Sequence, residues 1–215
     1  AAAGAAPRRV ADLGAGTGLL GPPLRALAPG ARIEGVDLAS KMLQHALRKG
    51  CYSRLVCGDF SAVFAPSPPR PPPDTAAGDG SDAWAAAEVE HVPDDVVGRA
   101  GGPDGDADFF DVVVAADMLP YLGDIRGLLH LAKTWLRPLS GVLAMSAETV
   151  EEDALGDPGY ELMLSGRYRH GIGHIRQLAQ RYSMVVVQER PLVLRYDGGL
   201  PVYGHVLVLR SGAPA

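Results

Sequence analysis

The chain has little of what would commit it to an oxidising compartment, a membrane or a nucleic acid. Of its 215 residues only Cys51 and Cys57 are cysteines, and a fully extended strand between them would hold them roughly 20 Å apart. A disulfide needs Cα atoms within about 7 Å, so free thiols and a reducing intracellular compartment are expected. With no histidine cluster near them they make a poor zinc site, and no metal is expected. No apolar run reaches the roughly 20 residues of a membrane-spanning helix, and no basic, apolar leader opens the chain, so a soluble protein is expected. Basic residues are not in excess either. A net charge of -5 gives no general attraction to phosphate backbones, and no nucleic-acid partner is expected.

What is present reads as one α/β domain spanning residues 1–215, an ordinary length for a single core. The chain opens on Ala1 and a bland alanine tract, as a fragment of a longer protein would. Residues 9–13 form a short apolar strand that ends in glycines, and Leu19, Leu20, Leu24 and Leu27 follow at helical spacing. Pro22 and Pro23 either start that helix or bend it. Residues 32–36 read as a second strand, with Ser40 capping a helix that buries Met42, Leu43, Ala46 and Leu47. A third strand covers 55–57. From 65 to 106 the composition turns to proline, glycine, alanine and aspartate, and a largely disordered insertion with at most a short helix near 84–90 is expected. Residues 109–116 give a fourth, buried strand. Asp124 then caps a helix carrying Ile125, Leu128, Leu129, Ala132, Trp135 and Leu136 on one face, which Pro138 stops. Residues 141–146 give a fifth strand. Residues 184–188 and 203–209 are β-rich and joined through Asp197, Gly198 and Gly199, with no room for a helix, so they are antiparallel neighbours. The fold class is therefore a Rossmann-like doubly wound sheet, mostly parallel with an antiparallel final strand.

Ligands of open α/β sheets sit beyond the carboxyl ends of the strands, where the first strand delivers Asp12-Leu13-Gly14-Ala15-Gly16-Thr17-Gly18. Gly14 and Gly16 let the backbone turn and approach a ligand closely. Taken alone this is also what any glycine-rich αβ turn looks like. Asp37 closes the second strand, where a carboxylate accepts both hydroxyls of a ribose, and Asp59 closes the third, where one accepts an adenine amine. Each acid alone has a plain reading as a helix cap or a solvated charge. The three together at successive strand ends point to a nucleoside.

On these residues the chain resembles the class I S-adenosylmethionine-dependent methyltransferases, from residue 8 to 210 apart from the insertion, which implies the seven-stranded fold of that superfamily and S-adenosyl-L-methionine as cofactor. The resemblance implies that Gly14, Gly16 and Gly18 face the methionine moiety, Asp37 the ribose and Asp59 the adenine. Asp12 belongs to the same glycine motif, Leu38 and Met42 would flank the adenine ring, and Phe60 would stack on it. Residues 116–124 and 165–170 further resemble predicted methyltransferases found behind tetratricopeptide-type repeats, which implies a helical-repeat segment in the full-length chain. The methyl acceptor, small molecule or protein, is not implied. Asp117 is expected beside the sulfonium end as a catalytic group that orients the acceptor or its proton, with Tyr121 nearby. Arg167, Tyr168, Arg169 and His170 either form a lid for an anionic acceptor, with His170 as base, or merely solvate a loop and cap the next helix.

Competing readings fit less well. A nicotinamide-dependent oxidoreductase wants glycine at the sixth position of its fingerprint, which here is Leu19. An aminopropyltransferase wants paired acids around the fourth strand. A catalytically silent module that binds the cofactor, or serves only for docking, keeps the same residues and differs in turnover alone.

Overall fold

The computed structural model describes residues 6–60, 109–150 and 155–212. The expected 65–106 insertion, with its short helix, lies outside the described residues. Five strands, β1 (Arg9–Leu13), β2 (Arg32–Asp37), β3 (Arg54–Cys57), β4 (Val112–Ala115) and β5 (Val142–Val150), stand side by side in the order β3-β2-β1-β4-β5. All four of their pairings are parallel. The order reverses at β1, so the crevice of an open parallel sheet falls at the carboxyl ends of β1 and β4.

Among the described residues, four further strands complete the nine-stranded sheet, two of them beyond the antiparallel edge of β5. β8 (Met184–Asp197) and β9 (Leu200–Ser211) form a long antiparallel hairpin, and β9 runs antiparallel to β5 from Val142 paired with Arg210 to Glu148 paired with Gly204. Gly198 and Gly199 make the turn at φ 56° and 83°. Two consecutive positive φ values suit a two-residue hairpin whose twist matches its strands.

Alternation along β1 sends Ala11 and Leu13 to one face of the sheet and Val10 to the other. The first face carries the main core, closed by α3 (Arg126–Trp135) and α4 (Ile172–Arg181), which bury Leu128, Leu129, Ala132 and Trp135 and then Ile172, Ile175, Leu178 and Ala179. Each such large apolar side chain contributes about 1.5–3 kcal/mol by leaving water. On the second face α1 (Gly21–Leu27) and α2 (Ser40–Arg48) cover Val10, Ile33 and Leu55.

Several local expectations need correction. α1 starts at the prolines and spans only seven residues, leaving Leu19 and Leu27 exposed. Ser40 is the first residue of α2 rather than its cap, because the chain enters through extended Ala39. α2 buries Leu43 and Ala46, while Met42 and Leu47 remain largely exposed. Asp124 is not the cap of α3 either: Ile125 holds that place, and Asp124, one residue earlier, accepts the Arg126 N–H at 2.9 Å. Residues 160–171, for which the sequence pattern predicts no strand, contain two, β6 (Tyr160–Leu162) and β7 (Tyr168–Gly171), paired antiparallel, with β7 running parallel to the end of β5. Cys51 and Cys57 are free thiols. No described helix is long and apolar enough to cross a membrane.

Candidate active site

The turn after β1 is held in a conformation that glycine alone takes without strain. Gly14, Gly16 and Gly18 have φ values of 68°, 55° and 75°, a left-handed region that costs other L-residues roughly 1–2 kcal/mol each. The loop is pinned from β2: Ala15 N–H donates to Val36 O at 3.0 Å and Gly16 N–H to the Asp37 carboxylate at 2.8 Å. The other Asp37 oxygen accepts the Ala39 N–H at 2.8 Å. Asp37 thus ties the glycine loop to the start of α2, and a carboxylate with about four lone-pair sites keeps capacity for two more donors.

Beside this acid the segment after β2 and the first turn of α2 present apolar side chains to solvent. Leu38 is 73% exposed and Met42 42% exposed. A side chain on Gly16 would meet Met42 Cε at 3.2 Å, and one on Gly14 would meet Met118 Cγ at 3.3 Å, so both positions are closely packed by methionine side chains. Asp59 is exposed beyond β3. Phe60 is partly buried and packs one side against the main core. These features fit a nucleoside with a charged amino-acid tail: a paired acid for hydroxyls, apolar flanks for a ring, and a turned backbone for the tail.

Asp12 lies inside β1, as expected, just before the glycine loop. It points to the α1 and α2 side of β1, is 1% exposed, and accepts a 2.6 Å hydrogen bond from the Tyr52 hydroxyl. Burial, with a smaller push from Asp37, raises its carboxyl to about 6 against the pull of Tyr52. The sign for stability follows directly. The native protein holds this proton more tightly than the unfolded chain, so the stability it lends is complete below about pH 4 and is lost as pH rises through 6. Asp12→Asn should therefore stabilise the fold by about 2–3 kcal/mol at pH 7.5 and by much less at pH 4, checked by denaturant melts at the two pH values.

At the end of β4, Asp117 is a non-glycine residue at φ 53°, exposed, with its N–H bonded to Ser146 Oγ at 2.8 Å. Its carboxylate lies 3.5 Å from Arg195 of β8, which also pairs with the buried Glu148 of β5. Sequence reading missed Arg195, Glu148 and Ser146 as neighbours of Asp117, and Tyr52 as the partner of Asp12. Tyr121 closes a 3₁₀ turn over Leu119–Tyr121 and is exposed.

Of the arginine and histidine cluster, Arg167 lies in the turn that leads into β7, while Tyr168, Arg169 and His170 belong to that strand. Arg167 pairs with Asp197 at the hairpin tip, and Arg169 with Glu161 across the β6–β7 ladder. Tyr168 packs edge-on against Tyr160. His170 is fully buried, with Nε2 3.0 Å from Gly123 O, and burial holds its imidazole below the ordinary range. These placements favour the plain, structural reading of the cluster. A separate polar cleft lined by Asp157, Gly159, His174 and Gln177 includes none of the glycine-loop residues.

Sheet order and a glycine loop tied to the acid that ends β2 together define a Rossmann-like domain. Residues 1–189 match the family described as methyltransferase domain, and the chain belongs to it. No curated protein matches the sequence. Among solved structures it is similar to a SAM-dependent methyltransferase from Methanosarcina mazei, with 12% identity, a TM-score of 0.59 and coverage of 98% of this chain and 95% of that one. It is similar to 1,6-didemethyltoxoflavin-N1-methyltransferase of Burkholderia thailandensis, solved with S-adenosylhomocysteine, at 18% identity and TM-score 0.59 over 96% and 72% of the two chains. The [4+2]-cyclase SpnF is similar at 12% identity and TM-score 0.62, over 97% and 77%. At these identities the likeness establishes the fold.

Proposed function

We propose that this chain transfers a methyl group from S-adenosyl-L-methionine to an acceptor that enters over the ends of β4 and β5. The observation that carries the reading is the loop of three left-handed glycines tied to Asp37. The donor supplies an electrophilic methyl on a positive sulfonium, so the protein's task is to position two reactants and exclude water. Gly14, Gly16 and Gly18 would hold the amino-acid tail, Asp37 the ribose hydroxyls, and Leu38 and Met42 the ring, with Asp59 at its rim. Asp117 would orient the acceptor, since its backbone is kept in a costly conformation and its side chain, beside Arg195, is 74% exposed at the strand ends. Tyr121 stands beside it in sequence as a second contact. Arg167 and Arg169 each face a carboxylate, Asp197 and Glu161, which an anionic acceptor would have to displace.

The test has two arms. Calorimetry with S-adenosylmethionine reads donor binding, and a labelled-methyl screen of extract metabolites and proteins reads transfer. Binding with no transfer to any fraction would favour a second reading, a donor-binding domain without methyl transfer, to which the fold likeness with a cyclase lends support. No binding would remove both.

A further inference from the structure

Tyr52 occupies a place that the donor-site reading leaves unexplained. Its ring lies on bare backbone from three directions: a Cβ on Gly18 would fall 3.0 Å from the ring, one on Gly21 2.8 Å, and one on Gly35 3.0 Å. Those glycines belong to the loop, the first turn of α1 and the middle of β2. The ring also joins the two smaller cores, packing against both. Its own backbone is fixed on each side. Arg25 grips Cys51 O at 2.8 and 3.3 Å as well as Ala31 O at 2.7 Å, and Ser53 exchanges two hydrogen bonds with Ile33, at 2.7 and 3.2 Å. A phenol so placed cannot swing, and its hydroxyl reaches Asp12 at 2.6 Å.

We infer that Tyr52 is a positioning residue for the methyl donor: its hydroxyl holds the Asp12 carboxylate charged beneath the glycine loop, and its ring holds the loop itself. The inference rests on the donor-site reading above. A fixed negative charge in a poorly solvated place attracts a cationic donor far more than one in water would. Without the hydroxyl, Asp12 would be a buried carboxyl beside Asp37, and both burial and that neighbour favour its neutral form. The ionisable groups bearing on the pair are Asp37 from β2 and Cys51 from the segment before β3. At this place α1 and α2 present Gly21 and Ala46. Burial and the Asp12 charge push the Tyr52 phenol well up, so it remains a donor throughout the working range.

The experiment is calorimetric titration with S-adenosylmethionine, acceptor absent, from pH 5 to 8.5 on wild type, Tyr52→Phe, Asp12→Asn and the double variant. Wild-type affinity should rise through about pH 6, where Asp12 ionises. Tyr52→Phe keeps the ring, and its midpoint should move to higher pH, with affinity at pH 7 down about tenfold. Asp12→Asn should show a flat profile, and adding Tyr52→Phe to it should change little. ¹³C carboxyl titration of Asp12 in the free protein gives a second reading of the same shift, needing no ligand. Parallel wild-type and Tyr52→Phe profiles, or an unmoved carboxyl resonance midpoint, would overturn the role of Tyr52 and leave the donor site standing. A wild type that binds no donor at any pH would overturn the donor site and this inference with it.

Discussion

Gly18→Ala is expected to lower the melting midpoint by about 6–12 °C, the shift that about 3 kcal/mol makes in a protein of this size. Two costs add. Gly18 stands at φ 75°, and a Cβ there would fall 2.8 Å from both Cα and Cβ of Ala46 in α2. The obstacle is helix backbone and a stub side chain, neither of which can rotate aside, so α2 must move or the turn must open. Gly50 supplies the control, since its φ is 63° but a Cβ would meet nothing within 4 Å. Gly50→Ala should therefore cost only the conformational part, about 1 kcal/mol. Equal losses in the two variants, measured by thermal and denaturant melts, would show that Ala46 does not confine the loop.

Asp37→Ala should weaken S-adenosylmethionine by about 1–3 kcal/mol, or roughly 5- to 150-fold, the range for hydrogen bonds to a charged group. The loss has two sources. The acceptor for the ribose goes, and the Gly16 and Ala39 N–H groups lose the carboxylate that fixes them. Asp37→Asn keeps one acceptor oxygen and should fall between. Calorimetry on folded variants checks this, and unchanged affinity in Asp37→Ala would remove the ribose assignment.

The parts of this site that the sequence disclosed are those where local chemistry admits one answer. Glycines at 14, 16 and 18 announce a turn other residues resist, and Asp37 follows a run that can only be a strand. Gly198 and Gly199 marked the hairpin in the same way. Other features were hidden because their cause lies far along the chain. The environment of Asp12 depends on Tyr52, 40 residues away, and no period or motif links them. β6 and β7 carry Tyr-Glu-Leu and Tyr-Arg-His-Gly, which lack the apolar alternation of a half-buried strand and pair only because β5 extends to receive them. Ser40 looked like a cap by residue type, yet Asp37, three places earlier, supplies the carboxylate that holds the Ala39 N–H. The leucines of α1 had helical spacing without a surface to bury them, and the prolines shortened the helix.

The switch at β1 also sets how the chain must assemble. β1 pairs with β2 across one short helix, and β4 with β5 likewise, but Val10 pairs with Val112. That central seam joins segments about a hundred residues apart, so its closure is the most entropically expensive pairing in the parallel sheet and the one least able to nucleate folding. Closure entropy grows only logarithmically, about 0.6 kcal/mol for each doubling of the intervening length. The stretch between β3 and β4 can therefore lengthen or shorten through evolution at small equilibrium cost. The toll falls instead on the rate at which the two halves find each other, and since the glycine loop belongs to one half and Asp117 to the other, the proposed site cannot exist until that seam has closed.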